Sequence, residues 1–264
     1  MKILVTAKRV PDPEQKVKLN GGVVDTSGMN FVVNPFDEYA VEAALRLAEA
    51  GGDNEVVVLS IGSKDVSQQI RSCLAMGAHR GILVEGDDNA LDAEQVARIV
   101  AAVYEREKPD LLLLGKQTVD GDANQVAQLV AGFLGLPQAC FACEIELGDN
   151  LLSVGREIDG GTEYKRVPLP AVVSVDLRIV LPTAVRAPGN SQTYAEGPRY
   201  ASLKGIMQAK KKKIEEISAG DLGVTPTPMV KTVTIEAPAE RGGGVIVGSV
   251  DELISKLRDE AKAL

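Results

Sequence analysis

Short apolar runs and amphipathic segments alternate along the first half of the chain. Runs too short for helices predict strands at Lys2–Lys8, Glu55–Ile61, Gly81–Glu85 and Leu111–Leu114. Segments with apolar residues at helical spacing predict helices that begin near Asn34, Val66, Asp92 and Val126. Because strand and helix take turns, the pattern predicts an α/β fold with a parallel sheet and right-handed crossovers.

The run Leu111–Leu114 is followed by a polar loop, Gly115–Gln125, and then by the predicted helix from Val126. Open α/β sheets bind ligands at the carboxyl ends of their strands, and a helix N-terminus offers free N–H groups that suit a phosphate. The pattern therefore indicates a nucleotide site in this loop. A solvated loop whose Asp and Asn side chains only cap the helix is the alternative, because the loop lacks a glycine fingerprint.

The pattern changes after Gly135. Short β segments separated by Gly, Asp and Asn turns predict an antiparallel meander at Cys143–Leu147, Leu151–Arg156, Tyr164–Val167 and Ala171–Val175. Residues 179–198 are rich in Pro, Gly, Ser and Thr and predict an exposed excursion. The tail contains the lysine run Lys210–Lys213 and a predicted helix, Ser249–Ala263, with Ser249 and Glu252 spaced as a capping box.

Composition narrows the possible functions. A net charge of −8, a pI near 4.9, 3% aromatic residues and no Trp argue against nucleic-acid binding. A single histidine, His79, argues against Ser-His-Asp catalysis and His-rich metal sites. The pair Cys140 and Cys143 lies in a strand-like segment, which favours a structural role. We find no signal peptide or membrane-spanning run and expect a cytoplasmic protein.

Several motifs, widely spaced and in a fixed order, resemble those of electron-transfer flavoprotein β subunits. They are ILVTAKRV, NPFDEYAVEAALRL, CLAMGAHRGI, LLLLGKQTVDGDANQ, GREIDGG, PAVVSVDLR and PRYASLKGIMQAKKKKI. The resemblance runs almost from end to end. It implies a Rossmann-like fold of the adenine-nucleotide-binding type, with an added antiparallel β portion and a C-terminal arm that wraps a partner.

The resemblance also implies a function without covalent chemistry and without a catalytic or metal site. Such a subunit forms a heterodimer with an α subunit, shares the α subunit's FAD and holds AMP structurally. It accepts electrons from acyl-CoA or other flavin dehydrogenases, as in fatty-acid β-oxidation, and passes them to the quinone oxidoreductase of the electron-transfer flavoprotein. The chain is then an electron carrier subunit and not an enzyme.

The site residues follow from the same resemblance. The AMP site comprises Thr6, Asn34, Pro35, Phe36, Asp37, Ile61, Gly115, Lys116, Gln117, Thr118, Val119, Asp120, Gly121, Asp122, Ala123, Asn124, Gln125 and Val126. Backbone N–H groups of residues 122–125 are expected to hold the phosphate, with Thr6 and Asn34 beside the adenosine. Partner binding is assigned to Leu203, the expected anchor, and to Glu157, Arg199, Tyr200, Ile206, Met207, Lys210 and Lys211. The lysines are expected to steer acidic partner surfaces.

The domain organisation implied is an adenine-nucleotide-binding α/β domain, 1–178, an excursion with the partner-recognition loop, 179–213, and an arm, 214–264, that docks on the α subunit. Two alternatives stay open. The Asp120-Gly121-Asp122 sequence is typical of flavin-bifurcating relatives, in which a second FAD replaces AMP and the complex is an enzyme. An ATP-using enzyme of the adenine-nucleotide hydrolase-like group is the other, although the chain lacks a Gly/Ser-rich loop for the β and γ phosphates.

Overall fold

The computed structural model describes residues 1–87, 90–239 and 242–264, which form two compact units. The first unit comprises residues 1–17 and 26–232, and the second comprises residues 18–25 and 233–264. Across the described residues, no helix combines the length and the apolar character needed to cross a bilayer.

The described residues contain fourteen strands and six α-helices. The strands are β1 (Lys2–Thr6), β2 (Arg9–Pro11), β3 (Leu19–Asn20), β4 (Val23–Val24), β5 (Phe31–Val33), β6 (Glu55–Gly62), β7 (Arg80–Glu85), β8 (Leu111–Gly115), β9 (Gln138–Leu147), β10 (Leu151–Ile158), β11 (Gly161–Pro168), β12 (Ala171–Val175), β13 (Val185–Arg186) and β14 (Ile214–Ser218). The helices are α1 (Pro35–Ala48), α2 (Ser67–Met76), α3 (Ala93–Glu107), α4 (Val126–Leu134), α5 (Leu203–Ala209) and α6 (Val250–Ser255).

One large sheet organises the first unit, with the strand order β11-β10-β9-β12-β8-β1-β6-β7-β14 and β13 beside β9. Seven neighbouring strands, β9, β12, β8, β1, β6, β7 and β14, run parallel to one another. At the other edge, β10 lies between β9 and β11 and is antiparallel to both. Apolar side chains of the central strands pack on α1 and α2 on one face and on α3 and α4 on the other. Burial on both faces explains their unbroken apolar runs. The predicted α/β fold with an antiparallel portion is confirmed.

The predicted meander is wrong in one member. Strand β12 does not continue the antiparallel β9–β11 portion; it lies between β8 and β9 and is parallel to both. All five of its residues are buried, with no alternation of apolar and polar positions. Such a run is typical of an interior parallel strand, which is covered on both faces.

The segment 179–198 is only partly the exposed excursion that its composition predicts. Ile179, Val180 and Val185 are buried, and β13 joins the main sheet. The side chain of Arg46 in α1, which is 1% exposed, holds the segment. Its guanidinium donates to the carbonyl oxygens of Val180, Leu181, Ala195 and Gly197 at 2.8–3.2 Å. A buried cation thus holds the parts of this segment that contribute no apolar side chain to the core.

The second unit contains the β3–β4 hairpin and α6. Ser249 caps α6 as predicted, because its Oγ accepts from the N–H of Glu252 at 3.2 Å. The carboxylate of Glu252 accepts from the N–H of Gly248, one residue before the cap. The α-helix is shorter than predicted, since it ends at Ser255 and continues as a π-helical turn over Lys256–Glu260.

We predict that Arg46→Met lowers the free energy of unfolding by about 3 kcal/mol. The substitution fills most of the volume but removes one of the two arginine partners of buried Glu42 and the donors to four carbonyl groups. Urea unfolding measures the loss, and hydrogen exchange should locate it at residues 180–197. Arg98→Met, which breaks the half-exposed pair with Glu94 on α3, is the control and should cost about 1 kcal/mol or less. Equal losses would contradict this assignment.

Candidate nucleotide site and partner surface

The polar loop 115–125 leaves the sheet where β8 meets the start of α1. A Cβ on Gly115 would lie 2.7 Å from both the carbonyl carbon and the Cβ of Phe36, so only glycine fits there. The close approach brings the N-terminal turn of α1 against the carboxyl end of β8. The sequence motif beginning at Asn34 therefore lies against the start of the loop.

The carboxylate of Asp37 joins the ends of two neighbouring strands. One oxygen accepts from the N–H of Lys8, just beyond β1, at 2.8 Å, and the other accepts from the N–H of Gly115, in β8, at 3.0 Å. The side chain is buried, and burial raises the pKa of Asp37 to about 6, although the two backbone N–H groups act in the opposite direction. Asp37 therefore braces the loop from beneath.

Asn34 braces the same loop from the side. Its Nδ2 donates to the carbonyl oxygen of Gln117 at 2.9 Å, and its Oδ1 accepts from the N–H of Val119 at 3.1 Å. It occupies the N-cap position of α1, as predicted, but its amide serves the loop and not the helix. The amide is fully buried. The structure thus gives Asn34 a bracing role, and its expected place beside an adenosine stays a prediction.

The tip of the loop presents backbone N–H groups. Asp122 and Asn124 adopt left-handed conformations, with φ of 46° and 49°. Alternation of left- and right-handed residues turns successive N–H groups toward one side, which makes a concave anion site. The N–H of Asp122 donates to Thr118 within the loop, whereas, among the described residues, those at 123–125 have no acceptor. Three donors thus lie at the start of α4, where the helix dipole is positive.

The charged side chains of the loop are largely paired within the chain. Lys8 binds Asp120 at 2.6 Å, and Lys116 binds Asp176 at 2.6 Å while its ammonium lies 5.4 Å from the centre of the Phe36 ring. An ion pair within the chain thus holds the ammonium of Lys116, and its expected place in the nucleotide site stays a prediction. The backbone N–H groups at the tip of the loop are the donors that remain for an anion.

Thr6 and Ile61 lie at the same edge of the sheet. Thr6 ends β1 and is in register with Leu59 of β6, and Ile61 follows two residues later. Leu59 and Ile61 belong to the apolar cluster on the α3–α4 face, so Thr6 and Ile61 lie on the side of the sheet from which α4 begins. The structure therefore brings these two residues to the face of the sheet that carries the loop's helix.

Four apolar residues expected to bind a partner are exposed around α5. Tyr200 is 98% exposed and Leu203 is 83% exposed, and Ile206 and Met207 are exposed beside them. We call these four residues the partner surface. Ser202 caps α5 by accepting from the N–H of Gly205 at 3.0 Å. An apolar group of this kind on a short helix is typical of a small interaction site.

Two other residues assigned to partner binding make ion pairs inside the chain. Arg199 contacts Glu42, in α1, at 2.7 Å and Glu49, directly after α1, at 2.5 Å. Glu157, at the end of β10, pairs with Arg178. These contacts fix the two side chains, and their roles toward another chain stay predictions.

The cysteines behave as small core residues. Cys73, Cys140 and Cys143 are free thiols in the structure, and burial raises the pKa of each. A raised pKa disfavours the reactive thiolate. The single histidine, His79, is held by a backbone contact, because its Nδ1 accepts from the N–H of Val56 at 3.0 Å.

A cavity of about 570 Å³ lies away from the loop, between α3, α4 and residues 223–229. Its charged residues, Glu94 and Arg98, pair with each other, and Arg98 also covers the ring of Phe133 at 4.7 Å. The charges of this cavity are therefore matched internally. The loop 115–125 is the better candidate for a nucleotide.

Comparison with known proteins decides the family. The family described as "Electron transfer flavoprotein domain" matches residues 21–222. The "Electron transfer flavoprotein subunit beta" of Bos taurus is 44% identical over 265 residues, which cover 98% of this chain and 97% of that protein. The chain belongs to the electron transfer flavoprotein beta-subunit family.

Two further relatives carry the same family name. The protein of Bradyrhizobium diazoefficiens is 44% identical over 266 residues and the whole of both chains. The "Electron transfer flavoprotein subunit beta, mitochondrial" of Arabidopsis thaliana is 42% identical over 265 residues, or 99% of each chain. The resemblance read from the motifs is confirmed, and with it an electron-transfer role associated with flavin.

Sequence reasoning missed the residues that support the loop from elsewhere in the chain. Lys8 and Asp176 pair with the loop's charged residues, and Arg178 links Asp176 to Glu157. Asp176 had one signal, since it is a polar residue directly after an apolar strand. Lys8 and Arg178 themselves had none, because Lys8 pairs with Asp120, which is 112 residues away, and Arg178 pairs with Glu157 on strand β10.

We predict that Asp37→Asn changes how stability depends on pH. In the wild type the folded-state pKa of about 6 exceeds the ordinary value of 3.8, so the folded state binds the proton more tightly. Stability therefore falls as the pH rises through this window, by up to about 3 kcal/mol, and Asn removes that term. Urea unfolding at pH 4, 5, 6 and 7.5 should show that the free energy of unfolding of the variant increases relative to that of the wild type as the pH rises. Exposed Asp149→Asn is the control, and parallel profiles for Asp37→Asn and the wild type would refute the prediction.

Proposed function

We propose that the chain is the β subunit of a heterodimeric electron-transfer flavoprotein, in which it binds AMP at residues 115–126 and shares an FAD with an α subunit. It accepts electrons from acyl-CoA or other flavin dehydrogenases and passes them to a quinone oxidoreductase. The observation that supports this best is the braced loop, which presents the N–H groups of residues 123–125 at the start of α4.

The geometry of the loop favours a nucleotide with one phosphate. Three backbone N–H groups and one helix dipole match one phosphate, whereas the two nearby lysines are already paired with Asp120 and Asp176. A triphosphate needs further cations or a metal ion to balance its charge. The loop thus disfavours an ATP-using enzyme, and the family membership does so as well. A second FAD at this position, with bifurcation of electrons, is the alternative because of the Asp120-Gly121-Asp122 sequence.

The proposed role requires positioning and not covalent catalysis. Flavin in the heterodimer supplies the redox chemistry. The residues of this chain then hold the nucleotide, present the partner surface and orient the two subunits, with Glu157 near the flavin region. We propose that residues 1–178 act as the nucleotide domain, residues 179–213 present the recognition segment, and residues 214–264 act as an arm on the α subunit.

The nucleotide content of the complex tests the AMP site. We predict that the chain, purified with its α subunit and then denatured, releases one FAD and one AMP per heterodimer, as identified by chromatography and mass. Asn34→Ala should reduce AMP several-fold without loss of FAD, because the loop loses two of its hydrogen bonds. Exposed Asn20→Ala in the β3–β4 hairpin is the control. Two FAD would assign the loop to a flavin, and full AMP in Asn34→Ala would remove Asn34 from the site's support.

Leu203 tests the partner surface. We predict that Leu203→Ala raises the KM of the heterodimer for an acyl-CoA dehydrogenase about tenfold, with the flavin spectrum unchanged. Removing an exposed apolar anchor costs about 1–2 kcal/mol of binding, and 1.4 kcal/mol corresponds to a factor of ten. Val23→Ala, an exposed apolar residue in the second unit, is the matched control. Equal KM values for Leu203→Ala and the wild type would exclude Leu203 from docking.

A further inference from the structure

The four lysines of the run Lys210–Lys213 are not equivalent. Lys210, Lys211 and Lys213 are exposed. The ammonium of Lys212 instead turns inward and donates to the carbonyl oxygens of Leu74 at 3.0 Å and Ala78 at 2.6 Å. These carbonyl groups lie in and just after the last turn of α2, and burial lowers the pKa of Lys212. One lysine of the run thus caps the C-terminus of another helix.

The contact is reciprocal. Arg71, which belongs to α2, donates to the carbonyl oxygens of Ala209 at 2.5 Å and of Lys212 at 2.6 Å. Ala209 is the last residue of α5. Helix α2 therefore supplies a cation to the C-terminal end of α5, and the segment directly after α5 supplies one to the C-terminal end of α2, where carbonyl groups lack partners within their own helix. We call this pair of contacts the reciprocal clamp.

The opposite end of the segment is also fixed. Arg199 bonds to the carboxylates of Glu42, in α1, and Glu49, at its C-terminal end, through four contacts of 2.5–3.2 Å. Glu42 is 1% exposed, so this pair is shielded from solvent on one side. Hydrogen bonds to the two glutamates hold the pKa of Arg199 above its ordinary value despite burial. The partner surface, within residues 200–207, therefore lies between two fixed points, which are the ion pairs of Arg199 on one side and the reciprocal clamp on the other.

We propose that Arg71, Lys212 and Arg199 are positioning residues for partner recognition, which hold the partner surface in place before a partner binds. The proposal rests on the proposed function. It also divides the lysine run by role, since Lys212 maintains the geometry while exposed Lys210 and Lys211 supply the field that attracts an acidic partner. A surface held in place loses less conformational freedom on binding than a mobile loop.

Ionic strength separates the two roles. Lys212→Met keeps the apolar stem but removes the ammonium, and Lys211→Met is its matched control on an adjacent exposed lysine. Steering by an exposed charge is screened by salt, because the Debye length falls from about 10 Å at 0.1 M to about 3 Å at 1 M. We expect Lys211→Met to raise the KM for an acyl-CoA dehydrogenase at low salt only. Lys212→Met should raise it about fivefold at every salt concentration, with kcat and the flavin spectrum unchanged.

Hydrogen exchange of the heterodimer tests the clamp without any dehydrogenase. In Lys212→Met the amides of residues 203–213 should exchange faster, whereas Lys211→Met should match the wild type. Arg71→Met, which breaks the clamp from α2, should reproduce both effects and serves if Lys212→Met fails to fold. Unchanged exchange in the Lys212 and Arg71 variants, or a KM effect of Lys212→Met that salt abolishes, would overturn the proposal.

Leu203→Ala, measured beside these variants, keeps the two hypotheses apart. If Leu203→Ala raises the KM but Lys212→Met does not, the docking surface stands and the positioning role is wrong. If Lys212→Met loosens α5 while Leu203→Ala leaves the KM unchanged, the clamp exists but does not serve docking, and the partner-binding part of the proposed function fails first.

Discussion

The bridge that Asp37 makes between two strand ends is the constraint on which the candidate site depends. Parallel strands β1 and β8 hydrogen-bond along their length, but their last N–H groups point into loops and need acceptors. A carboxylate provides two acceptor oxygens, whereas a side-chain amide provides only one. Burying this charge costs stability, since it raises the pKa of Asp37. The same bond holds the start of α1 close to Gly115. This close packing fixes the direction in which the loop leaves the sheet.

Local sequence patterns predicted most of the fold because most of it is held by local periodicity and burial. The strands β1, β6, β7 and β8 and the helices between them follow from apolar runs and helical spacing. Strand β12 was predicted at its observed residues, but its place between β8 and β9 was not, because periodicity does not encode which strands become neighbours. The one usable signal was its unbroken apolar run, which is typical of a strand buried on both faces. An antiparallel strand with one solvated face would instead alternate apolar and polar residues.

The position of the candidate loop was predictable, but the contacts of its residues within the chain were not. The loop after β8 follows from the rule that ligands bind at strand ends, and the family resemblance pointed to the same residues. Asn34 bonds to residues 83 and 85 positions away, and Lys116 pairs with a residue 60 positions away. Through such long-range contacts, residues whose types suggest ligand binding hold the conformation of the loop. A polar residue in a motif can therefore belong to the site and still not contact its ligand.

Helix α1 relates the nucleotide loop to the partner surface. Asp37, in its first turn, holds the loop, whereas Glu42 and Glu49 hold Arg199, and Arg46 holds the segment that precedes it. The last three lie at spacings of four and three residues and so share one face of the helix. From Asp37 to Glu49 the axis rises roughly 18 Å, at 1.5 Å per residue. Because Asp37, Glu42 and Arg46 are buried charges on one helix, and Glu49 directly follows its last residue, secondary structure and not loops sets the distance between the two surfaces.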